Sequence, residues 1–343
     1  MHESKVTPVA LAEGRCAGFE LGYRAPGDPH ALAPDTLALI SFGPGDGQVQ
    51  DGGSGDDPRL LRVGLAPLAG SDCVELWQGT GPVRCGRHGE IRYADDGRYQ
   101  FAAIEVDERA HGGSIELAAE HAYRSLWAFK SVSDFPCPLR IWNYFDAINA
   151  GEGDDERYKR FVLGRARALS EDSLGQYPAA TAIGRRDGVP VLQVYWLAAR
   201  SAGLALENPR QVSAYRYPRR YGPVAPGFSR AMLAPGIGLL ISGTASVVGH
   251  ASLHEHDVGL QLDECLANLE HVLKRGAEPV PALETRFGPA SALKMYVRNA
   301  AQAARLTERL RERLAPGTPL LVLEGDVCRV ELLVEIEAVQ PLR

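Results

Sequence analysis

The chain has 343 residues, 45% hydrophobic and 23% charged, a composition that suits a folded globular protein and excludes disorder as its default state. With 43 acidic against 37 basic side chains, the net charge of -6 excludes the broad basic face of a nucleic-acid-binding protein. No apolar run approaches the roughly 18 residues needed to cross a bilayer, and the N-terminus lacks a basic segment followed by a long apolar one, so a cytoplasmic location is expected.

Residues up to about 90 are assigned only as part of an N-terminal domain. Within them the Gly- and Asp-rich stretch 43–57 reads as a loop; it lacks the GK[ST] of a phosphate loop and its acidity would repel phosphate, so no catalytic role is expected of it. A strand is predicted over 101–106, followed by a helix with Ile115, Ala118, Ala119, Ala122, Leu126 and Phe129 on one face and Ser114 as its N-cap. A strand over 139–146 leads to a second helix from about Asp155, with Tyr158, Phe161, Val162 and Leu169 on one side. The unit is expected to close as a hairpin, 180–184 turning through 185–188 into 189–199.

The same programme then recurs. A strand over 237–246 precedes a helix bearing Val258, Leu262, Cys265, Leu266, Leu269, Val272 and Leu273 in one stripe, which Asp257 can cap. A strand over 292–299, a helix with Ala303, Leu306, Leu310 and Leu314, and a hairpin from 319 through 326–329 into 331–339 complete it. Two copies of β-α-β-α-ββ predict an α+β protein of two domains, 1–202 and 203–343, each with a mixed sheet covered by helices on one face. The Pro-, Arg- and Tyr-rich segment 203–235 between the copies has no clean period; its aromatic content predicts that it lines a pocket between the domains.

Charge is unevenly spread. From 157 to 230 there are thirteen Lys and Arg, twelve of them Arg, against four Asp and Glu. Most are expected to form a solvated basic face; the remainder suits a small, doubly anionic substrate held by planar guanidinium forks. The six cysteines, Cys16, Cys73, Cys85, Cys137, Cys265 and Cys328, show no CxxC pair and are expected as reduced thiols rather than zinc ligands or disulfides. His254 and His256 lie two apart at a helix start without further ligands at matching spacing, which favours solvent exposure over metal. On the last strand, alternation points Glu331, Leu333, Glu335 and Glu337 one way, and the matching stretch of the first copy, 193–199, carries no carboxylate. On the residues alone Glu335 is equally an exposed strand glutamate or a pocket acid.

The second copy resembles the RidA/YjgF-type imine deaminases, and the chain from about 95 to 340 resembles the chorismatases, which look like two such units fused. The stretches that carry the likeness are WNYFDAIN (142–149), ERYKRFVLGRARAL (156–169), QVSAYRYPRRYGP (211–223), FSRA (228–231), SGTASVVGHAS (242–252) and CRVELLVEIEA (328–338). The resemblance implies cleavage of chorismate to pyruvate without metal or organic cofactor. It makes Glu335 the proton donor to the enolpyruvyl methylene, with Glu337 in a lesser part, and Cys328 an assistant at the ring. Gly243 and Cys328 stand where the aromatising branches carry a glycine and a cysteine, which implies 3-hydroxybenzoate as product; one branch makes 4-hydroxybenzoate as well. Substrate contacts implied by the motifs are Asn143, Tyr144, Arg157, Arg165, Tyr215, Tyr221 and Arg230. No nucleic-acid or membrane partner is expected, and the chain is expected as a monomer or small homo-oligomer. The alternatives are a chorismate hydrolase, a RidA-type deaminase and a small-metabolite binding module.

Overall fold

The computed structural model describes residues 19–28, 32–43, 57–68, 73–168 and 177–342. Cys16, Leu169 and most of the 43–57 loop lie outside the described residues. Strands β1 (Glu20–Arg24), β2 (Thr36–Phe42), β3 (Leu60–Val63) and β4 (Val74–Gln78) form a sheet in the order β1-β4-β2-β3. Next along the chain come β5 (Arg84–His88), β6 (Ile91–Asp95), β7 (Tyr99–Asp107), α1 (Ile115–Val132), β8 (Cys137–Asp146), α2 (Arg157–Arg167), β9 (Ala179–Arg185) and β10 (Val191–Ala199). The second half contains β11 (Leu204–Leu206), β12 (Ala231–Ala234), β13 (Gly238–Ala245), the ribbon β14 (Val247–Val248) and β15 (Ala251–Ser252), and then α3 (Val258–Ala277). It ends with β16 (Ala292–Val297), α4 (Ala303–Arg311), β17 (Leu320–Glu324), β18 (Asp326–Val327) and β19 (Val334–Pro341).

The expected α+β class and internal repeat are present, and the repeat extends to topology. One large sheet has the order β18-β9-β8-β10-β7-β6-β5, the other β11-β12-β13-β19-β16-β17. In each, the strand before the first helix and the last strand of the unit pair antiparallel, and the two strands either side of the second helix pair in parallel, β8 with β9 and β16 with β17. Neither unit closes as the expected hairpin. β8 lies between β9 and β10, and β16 lies between β17 and β19, because the last strand crosses to the far side of its predecessor's neighbour.

The helix caps are as expected: Ser114 Oγ accepts from Leu117 N at 3.3 Å and Asp257 Oδ1 from Leu260 N at 3.0 Å. The apolar stripes of α1 and α2 pack on one face of the first large sheet, with Ala118, Leu126 and Phe161 against Ile104, Ile141 and Val194. Those of α3 and α4 pack on the second, with Leu262, Leu269 and Leu306 against Ile241, Met295 and Ile336. The opposite faces of both sheets turn inward. They meet the β1–β4 sheet in a central cluster that includes Trp77, Phe101, Trp142, Tyr195 and Tyr296. Each such ring taken from water contributes on the order of 2 kcal/mol. Strands β1 to β4, from a stretch that the sequence assigns only to an N-terminal domain, thus supply a third sheet that closes this core.

Candidate active site

The two large sheets adjoin along β9 and β13. Ala180 N donates to Ser242 Oγ at 2.9 Å and Gly243 N to Thr181 Oγ1 at 3.0 Å. β18, although late in the chain, pairs with β9. Between these strands, α2 and the 211–230 segment lies a cavity of about 340 Å³. Asn143, Thr181, Gly243 and Glu335 form its floor, α2 supplies Tyr158, Phe161 and Arg165, and the connecting segment supplies Tyr217, Tyr221, Phe228 and Arg230. The turn after β18 supplies Cys328, Arg329 and Glu331.

A β-bulge shapes the floor. Ile241 faces Ala338 but Thr244 faces Ile336, so β13 carries one extra residue at Ser242–Gly243. A Cβ on Gly243 would lie 1.9 Å from Glu335 Oε1 and 3.2 Å from Thr181 Oγ1. Glycine is required here by space: the Glu335 carboxyl occupies the room a side chain would take.

Glu335 and Glu337 share one side of β19 but not one environment. Burial, and then the charge of Glu337, push the Glu335 carboxyl up to about 8, against the pull of Arg140 and Arg230, so it is a neutral acid at pH 7. Glu337 accepts from Arg140 Nη2 at 2.9 Å, Thr181 Oγ1 at 2.6 Å and Trp142 Nε1 at 2.8 Å. Burial pushes it up too, but Lys294, Arg140, Thr181 and Trp142 together hold it below the usual carboxylate range. Two carboxyls with pKa values driven apart are an acid and a fixed charge. The Thr181 hydroxyl accepts from Arg140 and from Gly243 N, so its single proton is committed to Glu337.

Cations face this acid. Arg165 donates to Gly227 O at 2.6 Å, and Arg230 to Val212 O at 2.9 Å and the Tyr217 hydroxyl at 2.6 Å. Among the described residues neither has a carboxylate at ion-pair distance, and the Nε of each is buried with no hydrogen-bond partner. Arg329 lies 3.9 Å from the Tyr221 ring centroid and donates to His250 O and Ser252 Oγ, both at 3.0 Å. Guanidinium charges without a carboxylate partner in the lining of a partly dry cavity suit an anionic ligand. Burial, then Glu335, push the Cys328 thiol up to about 12, so it stands as a neutral SH group.

Of the residues expected at the site, Asn143, Arg165, Tyr221, Arg230, Gly243, Cys328 and Glu335 line the cavity. Three do not. Tyr144 follows Asn143 on β8 and therefore points to the other face, where its hydroxyl meets that of Tyr296 at 2.7 Å in the central core. Arg157 bonds both carboxylate oxygens of Glu108, at 2.8 and 3.0 Å, and Asp146 O, which fixes the start of α2 away from the cavity. Tyr215 packs on Tyr177, ring centroids 5.4 Å apart, outside the lining. Tyr217, two residues on, takes the place expected of it. The sequence reading also missed Thr181 and Arg329; Arg329 was legible as the neighbour of Cys328, whereas nothing local marks Thr181. The strand expected from 331 begins only at Val334, and Leu333 packs instead with the α3 core, so the alternation holds for Glu335 and Glu337 alone. His254 and His256 are exposed.

Residues 75–198 match the family described as chorismatase FkbO/Hyg5-like, N-terminal. The chain is 37% identical over 295 residues to a 3-hydroxybenzoate synthase of Streptomyces hygroscopicus, covering 82% of this chain and 85% of that protein. It is 36% identical over 279 residues to a chorismatase of Streptomyces rapamycinicus, covering 78% and 81%. A chorismatase crystal structure superposes with a TM-score of 0.80 at 30% identity, over 95% of this chain and 99% of the other.

Proposed function

The chain belongs to the chorismatase family, and from that premise we propose that it cleaves chorismate to pyruvate and 3-hydroxybenzoate in the cavity between β9 and β13. The observation that carries this reading is a carboxyl kept neutral at pH 7, Glu335, in the same cavity as the guanidiniums of Arg165 and Arg230, which have no carboxylate at ion-pair distance among the described residues. Chorismate carries two carboxylates and an enol ether, so it needs fixed cations and one proton donor.

In the proposed reaction Glu335 gives its proton to the enolpyruvyl methylene carbon, and positive charge develops at the ether carbon. The neighbouring ring hydroxyl then attacks the ring carbon that bears the ether. The carbon–oxygen bond breaks, pyruvate leaves, and the hydroxyl proton returns to the Glu335 carboxylate. The resulting arene-oxide-like ring opens, and loss of the ring hydrogen from the oxygen-bearing carbon gives the aromatic acid. Pyruvate and 3-hydroxybenzoate together contain all the atoms of chorismate, so no water is consumed and no electrons are transferred overall. Glu337, with its charge held by Arg140 and Thr181, keeps Glu335 from ionising first. Cys328 assists as a neutral thiol that relays a proton at the ring; its high pKa argues against a preformed thiolate nucleophile.

A division into units 1–202 and 203–343 belongs to the same proposal, as does a cytoplasmic location. No helix among the described residues is long and apolar enough to cross a membrane. Incubating the purified protein with chorismate tests the reading. Pyruvate and 3-hydroxybenzoate in equal amounts are expected; pyruvate with a dihydroxycyclohexadiene carboxylate would assign the hydrolytic reaction instead, and no pyruvate would end the proposal.

A further inference from the structure

Behind the cavity floor and outside its lining, Lys294 on β16 is buried to 2% exposure. Its ammonium lies 2.6 Å from Glu75 Oε2 on β4 and 3.0 Å from Glu337 Oε1 on β19. Glu75 is itself fixed by Trp77 Nε1 at 2.7 Å. Arg140 completes the group through its bond to Glu337 Oε2. We propose that Lys294, pinned by Glu75 of the N-terminal sheet, is a positioning residue that keeps Glu337 ionised and so leaves the shared proton on Glu335.

The argument is one of counting partners. Glu337 accepts from Trp142 on one oxygen and from Arg140 and Thr181 on the other, and the Lys294 ammonium lies beside the first oxygen as an ion pair at 3.0 Å. Of a carboxylate's about four lone-pair sites three are hydrogen-bonded, and the ammonium charge stands beside the fourth. Trp, Lys and Arg side chains cannot accept a proton in return, and the Thr181 hydroxyl already accepts twice. A proton on Glu337 would therefore find no acceptor among these partners and would stand beside the Lys294 ammonium. Charges balance as well: two carboxylates, Glu75 and Glu337, against two cations, Lys294 and Arg140. Without Lys294 the group carries a net negative charge in a dry core and takes up a proton, so Glu337 competes with Glu335 for it.

The groups around Glu335 leave Glu337 as the one fixed anion on its own strand. Across from it are Tyr296 of β16, Arg140 of β8 and Arg230 before β12; Tyr158 and Arg165 of α2, Cys265 of α3, and Cys328 and Glu331 after β18 complete the set. The phenols of Tyr23, Tyr144, Tyr195 and Tyr296 surround Glu337, and burial raises all four, so they stay neutral. The N-terminal sheet is on this view part of the proton-delivery apparatus as well as a plug for the core.

The inference rests on Glu335 being the proton donor, and the test separates the two. Chorismate turnover is measured against pH for Glu335→Gln, Glu337→Gln, Lys294→Met and Lys294→Arg. In Glu337→Gln the repelling charge is gone, so Glu335 ionises more readily and the fall of kcat/KM at high pH moves at least about one unit lower. Lys294→Met loses at least about tenfold in kcat with little change in KM, and Lys294→Arg recovers part of it. If Lys294→Met does not fold, Glu337→Gln decides. An unshifted profile in Glu337→Gln, with Glu335→Gln inactive, overturns the role of the buried group and leaves the acid in place. Turnover by Glu335→Gln overturns the acid itself.

Discussion

Gly243 acts through the side chain it lacks. An alanine there would drive its Cβ into the Glu335 carboxyl, 1.9 Å from Oε1, and the acid would have to swing out of the slot made by the bulge. A displacement of about 1 Å at a proton donor costs up to about 100-fold in rate. Gly243→Ala is accordingly expected to lower kcat by 10- to 100-fold while KM for chorismate moves little, as steady-state kinetics would show; unchanged kcat would mean that the carboxyl does not work from this slot. Cys328→Ala probes the other marked residue. A thiol that relays a proton at the ring should, when removed, divert product from 3-hydroxybenzoate to the diene diol without abolishing pyruvate release. A chromatogram with the wild-type ratio would remove Cys328 from the reaction. The same scale shows a limit of motif reading that physics alone could have tightened: Asn143 and Tyr144 are neighbours on a strand, and strand alternation allows only one of them into a pocket. Arg157 and Arg165 are likewise eight residues apart on α2, about 12 Å along a helix axis, too far to serve one small site together.

At the scale of elements, the turn after β18 is held by one side chain. Arg298, just past β16, ion-pairs with Asp326 and donates to Val327 O at 2.9 Å, Arg329 O at 3.0 Å and Leu332 O at 2.9 Å. It thereby fixes the segment that carries Cys328 and Arg329. Arg298→Ala removes the Asp326 ion pair and leaves Leu332 O without its donor, while Val327 O keeps Asn149 Nδ2 and Arg329 O keeps Leu332 N, and it should cost about 2 kcal/mol of stability. It should also raise KM for chorismate several-fold as Arg329 loosens. Denaturant melts and kinetics check both, and a variant with wild-type values for each would show that the turn holds itself. Helices and their caps were legible because they are local: Ser114 and Asp257 sit at their ends, and the apolar stripes follow the 3.6-residue period. Strand partners were not. The five residues between β9 and β10 fit a hairpin as well as they fit a crossing over the end of β8, and no local pattern records which neighbour a strand chooses.

Taken whole, the molecule is one topology used twice and then made unequal. By register on the neighbouring strand, Gln193 opposite Tyr144 corresponds to Glu335 opposite Tyr296, so the first copy has an amide where the second has the acid. The basic excess of 157–230 resolves in the same unequal way. Arg157, Arg160, Arg167, Arg185, Arg186, Arg210 and Arg219 pair with carboxylates, many of them from outside that stretch, while Arg165 and Arg230 are left for the cavity. Composition showed the excess but could not say which cations would be spent on the fold, because that depends on contacts between distant parts of the chain. The N-terminal sheet was opaque for the same reason: its strands are short, and Glu75 finds its partner Lys294 more than 200 residues away. The claim on which all of this depends is that Glu335 delivers the proton that releases pyruvate. Wild type and Glu335→Gln should be compared side by side for chorismate binding, by calorimetry, and for pyruvate release, by a coupled assay. The account predicts that the variant still binds chorismate and releases pyruvate at least about 1,000-fold more slowly; a variant that binds and turns over within a few-fold of wild type would contradict it.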